Sequence, residues 1–600
     1  MARTTLSRLI RSFVLAGAAL ATGLCPSAWA SRPVSVQLEQ LTSRINSISS
    51  TTGAYAGSIS NLQSQMLATI TSVTALMASQ TTNFYSLKDL GVKADGVTDD
   101  SAAMNIAAAY SSASGKLTLF PGGTILISAS TYSLPSNFYG LGLGPSPTVI
   151  KLADNANKRL IETVNFATLS GISSSVLQPY NIGLDNVLLD CNKSGQTAAP
   201  AAGGCFSVAA RQLHLGTIRI INAKGKGFYS EGGKNDATTT DWRNLVETTI
   251  YDLRVDSADD DNIYWAGPHN ARFFSVVSQG SGGWNWKCVD NSNSTGGIDY
   301  LASIHTYAGV STASRQGQYW GCASSRIGTA EIDGDSMVVA ATDTAFDKIN
   351  CILCGQGGMD AISVTANRFS AAQIKLNMSA SSSASNTVGL NLGADEAKIG
   401  SFVALGNSQE YDALKFSSTA AFNTIGSGYI EKFKGSTAAG TGSKTAVILA
   451  GTNNVVNLTG TDNDVFLDYT AGSKNTANLT IFTNTGQVSV SGSVPGATDQ
   501  FNIVETGVQS KKTWFRGQSG TFAVDSTGVK SVTINHNLLY TPNIYDVQLT
   551  LEKNSAVNDY QIGWIRVEAV DSISVTAAVN VIVSSTTGST TARLGMQVRN

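Results

Sequence analysis

Short apolar runs separated by turn residues recur along most of the chain, from about Leu87 to about Val494. The runs are rich in β-branched and aliphatic residues, and Gly, Asn, Asp and Ser fill the intervals, so the pattern predicts short strands joined by turns. They recur roughly every 20 to 30 residues, a spacing typical of repeat architectures. One such unit cannot bury its apolar face alone, so we expect stacking, either as coils of a β-helix or as an array of sandwiches. Asn in the turns tolerates left-handed backbone and can form ladders between stacked units.

A heptad pattern precedes these runs. Between Val34 and Leu76 the apolar residues lie alternately three and four positions apart, and only two threonines interrupt the seam. The repeat predicts a helical coiled coil over residues 31–82. Ile45 with Ile48 favours three strands, although Leu at most d positions also suits a dimer. One amphipathic helix packed on the body of the protein is the alternative.

The pattern changes again after Pro495-Gly496, which marks a domain boundary. The repeat region therefore forms a body over residues 83–495. Residues 496–600 carry strands of alternating apolar and polar positions, such as DVQLTLE and SISVTAAVNVIV. This alternation predicts a compact antiparallel β-sandwich.

Residues 87–127 mark the start of the body. Asp95-Gly96 predicts a tight turn, and Thr98 to Asp100 predict an N-cap with acidic residues at the positive end of a helix dipole. An Ala-rich helix then ends before Gly115, and KLTLF and TILIS predict strands on either side of a Pro-Gly-Gly turn. Such a helix can cover the open end of a stacked sheet, whose unpaired edge would otherwise recruit other chains.

GVKADGVTDD before a helix and PGGT after it resemble the opening motif of the pectate-lyase superfamily, a group related to glycoside hydrolase family 28 that includes polysaccharide depolymerases and phage tailspikes. The resemblance implies an all-β fold, a right-handed parallel β-helix, and it decides against an array of sandwiches. It does not fix the chemistry, because fold alone does not determine function. We therefore interpret Asp95, Asp99 and Asp100 as turn and capping groups.

Two further comparisons refine this resemblance. The Asp-Asp and Gly-His-Gly signatures of polygalacturonases are not found, nor is the spaced Arg and Lys pattern of pectate lyases, which puts pectin in doubt as the substrate. The resemblance then points to the tailspike-like group, whose members bind or cut bacterial polysaccharides. INHNLLYTPNIYDVQLTL with DYQIGWIRV also looks like C-terminal modules of phage tail fibres. That likeness implies trimer registration or receptor contact.

The first thirty residues predict export. Residues 1–30 have a basic start, an apolar stretch from Phe13 to Leu24 and a small-x-small cleavage site, the layout of a signal peptide. The apolar stretch is too short to span a bilayer, so we expect a secreted protein without a membrane span.

The cysteines agree with an oxidising compartment, because six of the seven remain after cleavage. Six cysteines permit many connectivities, and a zinc site is the rival interpretation, although the chain has four histidines and one CxxC. The pairings of sequence neighbours are Cys191 with Cys205, Cys288 with Cys322, and Cys351 with Cys354.

The charge of the chain limits the classes of molecule that it is expected to bind. Charged residues are 14% of the chain and the net charge is −2, which offers no electrostatic footprint for nucleic acid or an acidic membrane. Uncharged hydrogen-bonding residues are plentiful instead. We therefore expect a neutral or mildly charged polysaccharide as the partner.

Aromatic residues concentrate between residues 242 and 320, which contain five of the eight tryptophans. Flat aromatic faces cover the apolar faces of pyranose rings and leave the sugar hydroxyls to polar neighbours. The alternative is that several of these rings fill the interior. The predicted substrate-binding residues are Trp265, Trp284, Trp286, Tyr264 and Lys287.

Acidic residues crowd the same window. Three adjacent aspartates repel one another unless solvent, a cation or a raised pKa relieves them, and residues adjacent on a strand face opposite ways. A glycosidase needs two carboxyls across the bond, whereas a β-eliminating lyase needs a base and a neutraliser for the sugar carboxylate, often calcium. A hydrated turn is an equal alternative. The predicted catalytic residues are Asp259, Asp260, Asp261, Asp290 and His269, with no metal ligands assigned, calcium as the one candidate cofactor, and Glu231, Glu331, Asp333 and Asp335 as reserve acids.

These observations support one leading hypothesis. It is an exported, trimeric β-helix protein that binds a polysaccharide and cleaves it as a glycoside hydrolase. The alternatives are a non-catalytic adhesin or fibre protein, or a polysaccharide lyase.

The heptad pattern predicts that the protein without residues 1–30 is a homotrimer, so light scattering should give three times the mass of one chain. Replacing Ile45 and Ile59 with Asp should loosen the association, because a charge in a buried seam is costly. A monomer at micromolar concentration would contradict the prediction.

Overall fold

The computed structural model describes residues 39–40, 42–43, 61, 64–72, 83–169, 178–231, 248–267, 270–290, 297–307, 316–354, 359–378, 388–409, 411–433, 444–482, 488–492, 499–506, 516–518, 522–523, 528–535, 547–553, 560–570, 574–583 and 591–598. It divides into two units, residues 1–85 and residues 86–600. In the first unit, the described residues between 39 and 72 are helical. The rest of the predicted coiled coil and the predicted signal peptide lie outside the described residues, so trimerisation stays a prediction. No described helix has both the length and the apolar character that a membrane span requires.

The second unit is built almost entirely of parallel strands. Its described helices are α1 (Ser101–Ser114) and α2 (Phe166–Leu169), with 3-10 turns at Leu87–Leu90 and Lys193–Gly195. In chain order the strands are β1 Phe84–Ser86, β2 Asp95–Asp99, β3 Leu117–Leu119, β4 Gly123–Ile127, β5 Tyr132–Leu134, β6 Tyr139–Leu141, β7 Thr148–Leu152, β8 Ile161–Thr163, β9 Tyr180–Asp185, β10 Val187–Asp190, β11 Gly204–Val208, β12 Arg211–Ile221, β13 Lys226–Glu231, β14 Thr248–Asp256, β15 Ile263–Ala266, β16 Ala271–Gln279, β17 Trp284–Val289, β18 Ile298–Tyr307, β19 Gln316–Gly321, β20 Arg326–Asp333, β21 Ser336–Val339, β22 Ala345–Cys354, β23 Ile362–Val364, β24 Ser370–Met378, β25 Val388–Leu392, β26 Lys398–Gln409, β27 Asp412–Phe416, β28 Thr424–Phe433, β29 Thr445–Thr452, β30 Val455–Thr461, β31 Val465–Ser473, β32 Thr476–Phe482, β33 Val488–Gly492 and β34 Gln500–Thr506.

These strands form two long parallel sheets. Sheet B runs β5, β8, β11 and then every odd-numbered strand to β33, and the other strands form sheet A. The chain therefore alternates between the sheets, and each coil lies on the previous one. One coil advances by as few as 19 residues, from Ala330 to its partner Ile349. The predicted all-β composition is confirmed, and the long parallel sheets agree with the predicted parallel β-helix.

Two separate strands of the preceding coil, β9 and β10, both pair with the single long strand β12. Its first half, Arg211 to Leu215, pairs with β9, and its second half, from Ile218, pairs with β10. Gly216 lies between the halves, and a Cβ at this position would lie 1.9 Å from the Asp185 carboxylate, so a larger residue would have to displace that side chain. From β12 to β28, each coil contributes one long strand to sheet A and one shorter strand to sheet B.

Helix α1 covers the start of sheet B, whose terminal strand is β5. The Asn105 side chain donates to the Thr131 carbonyl at 3.1 Å and accepts from the Ser133 N–H at 3.0 Å. The helix thus pairs backbone groups that the edge of a sheet leaves open. It ends at Gly115, which adopts a left-handed conformation, as predicted.

Asp95 acts as a turn group before this helix, as predicted, whereas the predicted capping of the helix by Asp100 is wrong. Asp95 accepts from the N–H groups of Val97 and Thr98, and its pKa is lowered to about 2 by these hydrogen bonds. Asp100 occupies the N-cap position without capping the helix, because its carboxylate accepts from the backbone of residues 93 and 94 instead.

Aromatic rings fill the interior of the central coils. Trp265, Trp286 and Trp320 are fully buried. Trp286 packs edge-on against Phe273, and its ring lies 5.3 Å from that of Trp320. The prediction that Trp265 and Trp286 stack on a sugar is therefore wrong, because their side chains point into the core.

Buried asparagines form ladders at the corners of the coils. Asn423 donates to the side chain of Asn454 at 2.9 Å, and the Asn454 N–H donates to the side chain of Asn475 at 3.0 Å. Each amide thus satisfies backbone groups that the turn removes from the sheet. The predicted laddering of turn asparagines is confirmed.

The cysteines form three disulfides between sequence neighbours, as the simplest pairing predicted. Cys191–Cys205 joins the two sheets within one coil, and Cys288–Cys322 joins adjacent coils. Cys351–Cys354 closes a short bend at the end of β22.

The C-terminal strands are antiparallel and form two small sheets, whereas β34 (Gln500–Thr506) still pairs in parallel with β32, beyond the predicted boundary at residue 495. The association of the small sheets into a sandwich stays a prediction. The strands of one are Arg516–Gln518, Phe522–Ala523, Val547–Lys553 and Thr591–Val598, and those of the other are Gly528–Asn535, Tyr560–Val570 and Ser574–Val583.

The substitution Asn454→Ala should lower the free energy of unfolding by about 3 kcal/mol, because it leaves buried backbone and amide groups without partners. The matched control is Asn502→Ala, which removes an exposed amide that donates to Asn478 and should cost less than about 0.5 kcal/mol. Urea denaturation followed by circular dichroism measures both. Equal effects of the two substitutions would contradict the stabilising role of the buried ladder.

Candidate active site on sheet B

Four outward side chains line up across successive strands of sheet B. Tyr229 of β13 pairs in register with Tyr264 of β15, Tyr264 with Lys287 of β17, and Lys287 with Tyr319 of β19. All four are half-buried. Side chains alternate along a strand, so the residues next to them, such as Phe228, Trp286 and Trp320, fill the core. We call this set the tyrosine ladder.

Tyr229 and Tyr264 stack face to face, with their ring centroids 4.9 Å apart and their planes 3° from parallel. The Tyr229 hydroxyl donates to Glu231 Oε2 at 2.8 Å, and Glu231 itself is buried. Burial and the Glu231 carboxylate raise the pKa of Tyr229. Burial, with smaller contributions from Glu231 and Asp261, also raises the pKa of Tyr264 above its ordinary value. Both phenols therefore keep their protons at neutral pH.

Two ammonium groups flank Tyr264. Lys226 Nζ lies 5.5 Å from the centroid of its ring, and Lys287 Nζ lies 5.7 Å from it, both within range of a cation–π interaction. Lys226 also pairs with Asp260, and Lys287 Nζ lies 3.7 Å from Asp261 Oδ2. The site thus brings a protonated phenol and two cations together beside carboxylates.

The structure separates the three adjacent aspartates. Although burial raises it, hydrogen bonds from Lys224 and Lys193 lower the pKa of Asp259 overall, and these lysines lie 3.0 and 3.1 Å from its carboxylate. Asp260 faces Lys226. Asp261 is buried and accepts from the backbone N–H of Trp284 at 2.8 Å, and its burial raises its pKa.

The other predicted residues fall in different surroundings. Asp290 follows β17 and accepts from the backbone N–H of Ala323 at 3.0 Å. Trp284 is half-buried at the end of the ladder, with its ring 5.3 Å from that of Tyr319. The structure thus brings Tyr264, Trp284 and Lys287 together with Asp260 and Asp261. His269 lies outside the described residues.

The sequence analysis missed Lys226 and Tyr229. A coil-by-coil alignment could have found Tyr229, because FYS in β13 and IYW in β15 place a tyrosine at the same position of successive coils. Lys226 owes its place to the turn before β13, which the sequence pattern does not define. Among the described residues, only His305, Glu331 and Asp333 form a possible metal-ligand set, and they lie on sheet A rather than at this site.

Part of the chain resembles known proteins. Residues 84–299 match the model of the family described as rhamnogalacturonase A/epimerase, pectate lyase-like. Mannuronan C5-epimerase AlgE4 of Azotobacter vinelandii is 27% identical over 214 residues, which are 32% of this chain and 36% of that protein. Mannuronan C5-epimerase AlgE6 of the same organism is 31% identical over 215 residues, 32% of this chain and 23% of that protein. The chain thus spans about a third or less of these relatives' lengths.

Solved structures with detectable similarity include the A-module of Azotobacter vinelandii AlgE4, with a TM-score of 0.37 and 12% identity over 71% of this chain and 100% of that chain. The tailspike of E. coli bacteriophage HK620 gives a TM-score of 0.42 and 12% identity over 86% of this chain and 94% of that chain. The resemblance to the pectate-lyase superfamily predicted from the opening motif is confirmed by this family match, which covers residues 84–299 and most of the tyrosine ladder.

Proposed function

We propose that the tyrosine ladder binds an acidic polysaccharide and that the protein modifies it by moving a proton at the carbon next to a sugar carboxylate. The observation that carries this proposal is that the ammonium groups of Lys226 and Lys287 both lie close to the ring of the protonated Tyr264, at 5.5 and 5.7 Å from its centroid. A neutral sugar carries no charge for these two ammonium groups to bind. A uronate sugar presents a carboxylate that two ammonium groups can bind and neutralise.

Neutralisation is the chemical requirement of the reaction. Removing the proton next to a carboxylate places negative charge on the carboxylate oxygens, and nearby cations stabilise that charge. A base takes this proton, and an acid gives one back. Tyr264 is the proposed acid, because its raised pKa keeps the phenol protonated. His269 is the proposed base on the strength of its sequence position, three residues after the end of β15.

Two outcomes follow from the same first step. Reprotonation from the opposite face inverts the carbon, which is epimerisation. Departure of the neighbouring glycosidic oxygen leaves an unsaturated sugar, which is β-elimination. The relatives are named as mannuronan C5-epimerases, so we propose epimerisation as the main reaction and elimination as the alternative.

Hydrolysis fits the geometry less well. A glycosidase needs one carboxyl as an acid and a second as a base or nucleophile on either side of the bond. Asp259 and Asp260 are instead ion-paired with lysines, and Asp261 is buried behind Lys287. We also propose, from residues 1–30 and the heptad pattern, that the protein is exported and acts outside the cell as a trimer.

The substitution Tyr264→Phe should reduce turnover of mannuronan about 100-fold or more while leaving binding unchanged, because it removes the proton donor and keeps the ring. Turnover is measured by NMR in D2O, where epimerisation replaces the proton next to the carboxylate with deuterium and elimination gives the vinyl signal of an unsaturated sugar. Tyr300→Phe, an exposed tyrosine of sheet A, is the control. Full activity of Tyr264→Phe would remove this residue from the mechanism, and new reducing ends with neither deuterium incorporation nor an unsaturated sugar would indicate hydrolysis.

The substitutions Lys226→Met and Lys287→Met should each weaken binding of mannuronan about tenfold or more, because each removes a charged hydrogen-bond donor worth roughly 1.5–3 kcal/mol. Binding of a neutral polysaccharide should not change. Lys415→Met is the matched control, since Lys415 also faces outward from sheet B, several coils away. If the three variants bind alike, the anionic sugar does not occupy this face, and if the wild type binds without turnover the protein is an adhesin.

A further inference from the structure

A second group of reactive side chains lies on the outer face of sheet A. His305 of β18 pairs in register with Glu331 of β20, and Tyr307 pairs with Asp333. The four side chains are half-buried and belong to two adjacent coils. None of them faces sheet B, so this group is separate from the tyrosine ladder.

The group converges on the imidazole. His305 Nε2 lies 3.1 Å from Asp333 Oδ2, and His305 Nδ1 lies 3.8 Å from Glu331 Oε2. One ligand atom from each of the three residues lies within 4.8 Å of the others.

Neighbouring residues hold these groups in place. The Tyr307 ring packs on the imidazole with the centroids 3.8 Å apart. Asn350, on the next coil, donates from Nδ2 to Glu331 Oε1 at 3.1 Å. Tyr307 therefore orients His305, and Asn350 orients the Glu331 carboxylate, as the neighbours of metal ligands commonly do.

One oxygen of this group lacks a partner. Asp333 Oδ1 is buried and has no hydrogen bond to any residue that the structure describes. A buried carboxylate oxygen without a partner is costly, and two carboxylates on one imidazole also repel each other. A bound cation relieves both costs.

We propose that His305, Glu331 and Asp333 bind one divalent first-row transition-metal ion, such as Zn²⁺. Zinc bonds to imidazole nitrogen and carboxylate oxygen are about 2.0–2.2 Å long, so tetrahedral donor atoms lie about 3.4 Å apart. One donor atom from each of the three residues lies within 4.8 Å of the others, so modest side-chain rotations bring them to this spacing. Calcium and magnesium prefer all-oxygen sites, so the histidine selects against them. Three protein ligands leave a position for water or a further ligand.

The ion would also join two coils, because His305 lies on β18 and both carboxylates lie on β20. A ligand that binds only the folded protein raises its stability by mass action. Binding should therefore be visible as heat and as a shift in the unfolding temperature. Neither readout depends on polysaccharide turnover, so the result is independent of the proposed function.

The test is calorimetric titration of chelator-treated, tag-free protein with ZnCl₂, together with thermal unfolding at saturating zinc. We expect one equivalent of zinc bound at micromolar concentration and a higher unfolding temperature. His305→Ala should remove both effects, and the nearly isosteric Asp333→Asn should weaken binding at least tenfold with an unchanged circular dichroism spectrum. The control is His214→Ala, which removes a half-buried histidine of β12 outside the group.

Three outcomes would overturn the proposal. One is no binding up to millimolar zinc, which would leave His305 as a hydrogen-bond partner of the neighbouring carboxylate. Another is binding that neither His305→Ala nor Asp333→Asn weakens. The third is binding of calcium as tight as that of zinc, which would exclude a site built on imidazole.

Discussion

Register between coils is the constraint on which the structure depends. Parallel backbone hydrogen bonds hold each residue directly above its partner in the previous coil, with little freedom to slip. A side chain chosen for one coil therefore meets the same position of the next. Core aromatics contact core aromatics, corner asparagines bond to corner asparagines, and Tyr264 stacks on Tyr229. The interior and the outer surface are thus built by the same rule.

The candidate active site is also a product of the fixed register between successive coils. Stacking at the spacing of the coils brings two tyrosine rings into contact and places Lys287 at the next step. Lys226 reaches the same ring from the turn that opens its strand. The four side chains of the tyrosine ladder all come from strands of sheet B, one strand from each successive coil. They form a strip along the axis of the coils, a shape that suits the extended polymer proposed as the substrate.

The sequence predicted what local signals encode. The opening helix with its Gly115 end, the turn aspartates, the neighbouring cysteine pairs and the laddered asparagines each follow from one residue type in one local setting. The tryptophans were misplaced because side-chain direction depends on where each strand begins. Trp284 and Trp286 are two residues apart, yet Trp284 is half-buried and faces out while Trp286 is in the core. The alternation of inward and outward side chains is broken at Asn285. Its side chain points inward and forms hydrogen bonds with Asn262 and Asp335 at the corner of the coil. Pairing with the neighbouring coils decides which residues of a strand face the core, and this pairing cannot be read from a single sequence.

The positions of two disulfides affect how the protein unfolds, because the coils form a linear stack. In a solenoid each coil contacts only its neighbours, so separation begins at the ends and travels inward one coil at a time. Cys191–Cys205 ties the two sheets of a coil just before the tyrosine ladder, and Cys288–Cys322 fastens two coils at its far end. A loss of structure that travels from either end therefore meets a covalent stop before it reaches Tyr264. For a protein that acts outside the cell, as proposed above, such stops allow the ends of the stack to unfold while the coils of the candidate site persist.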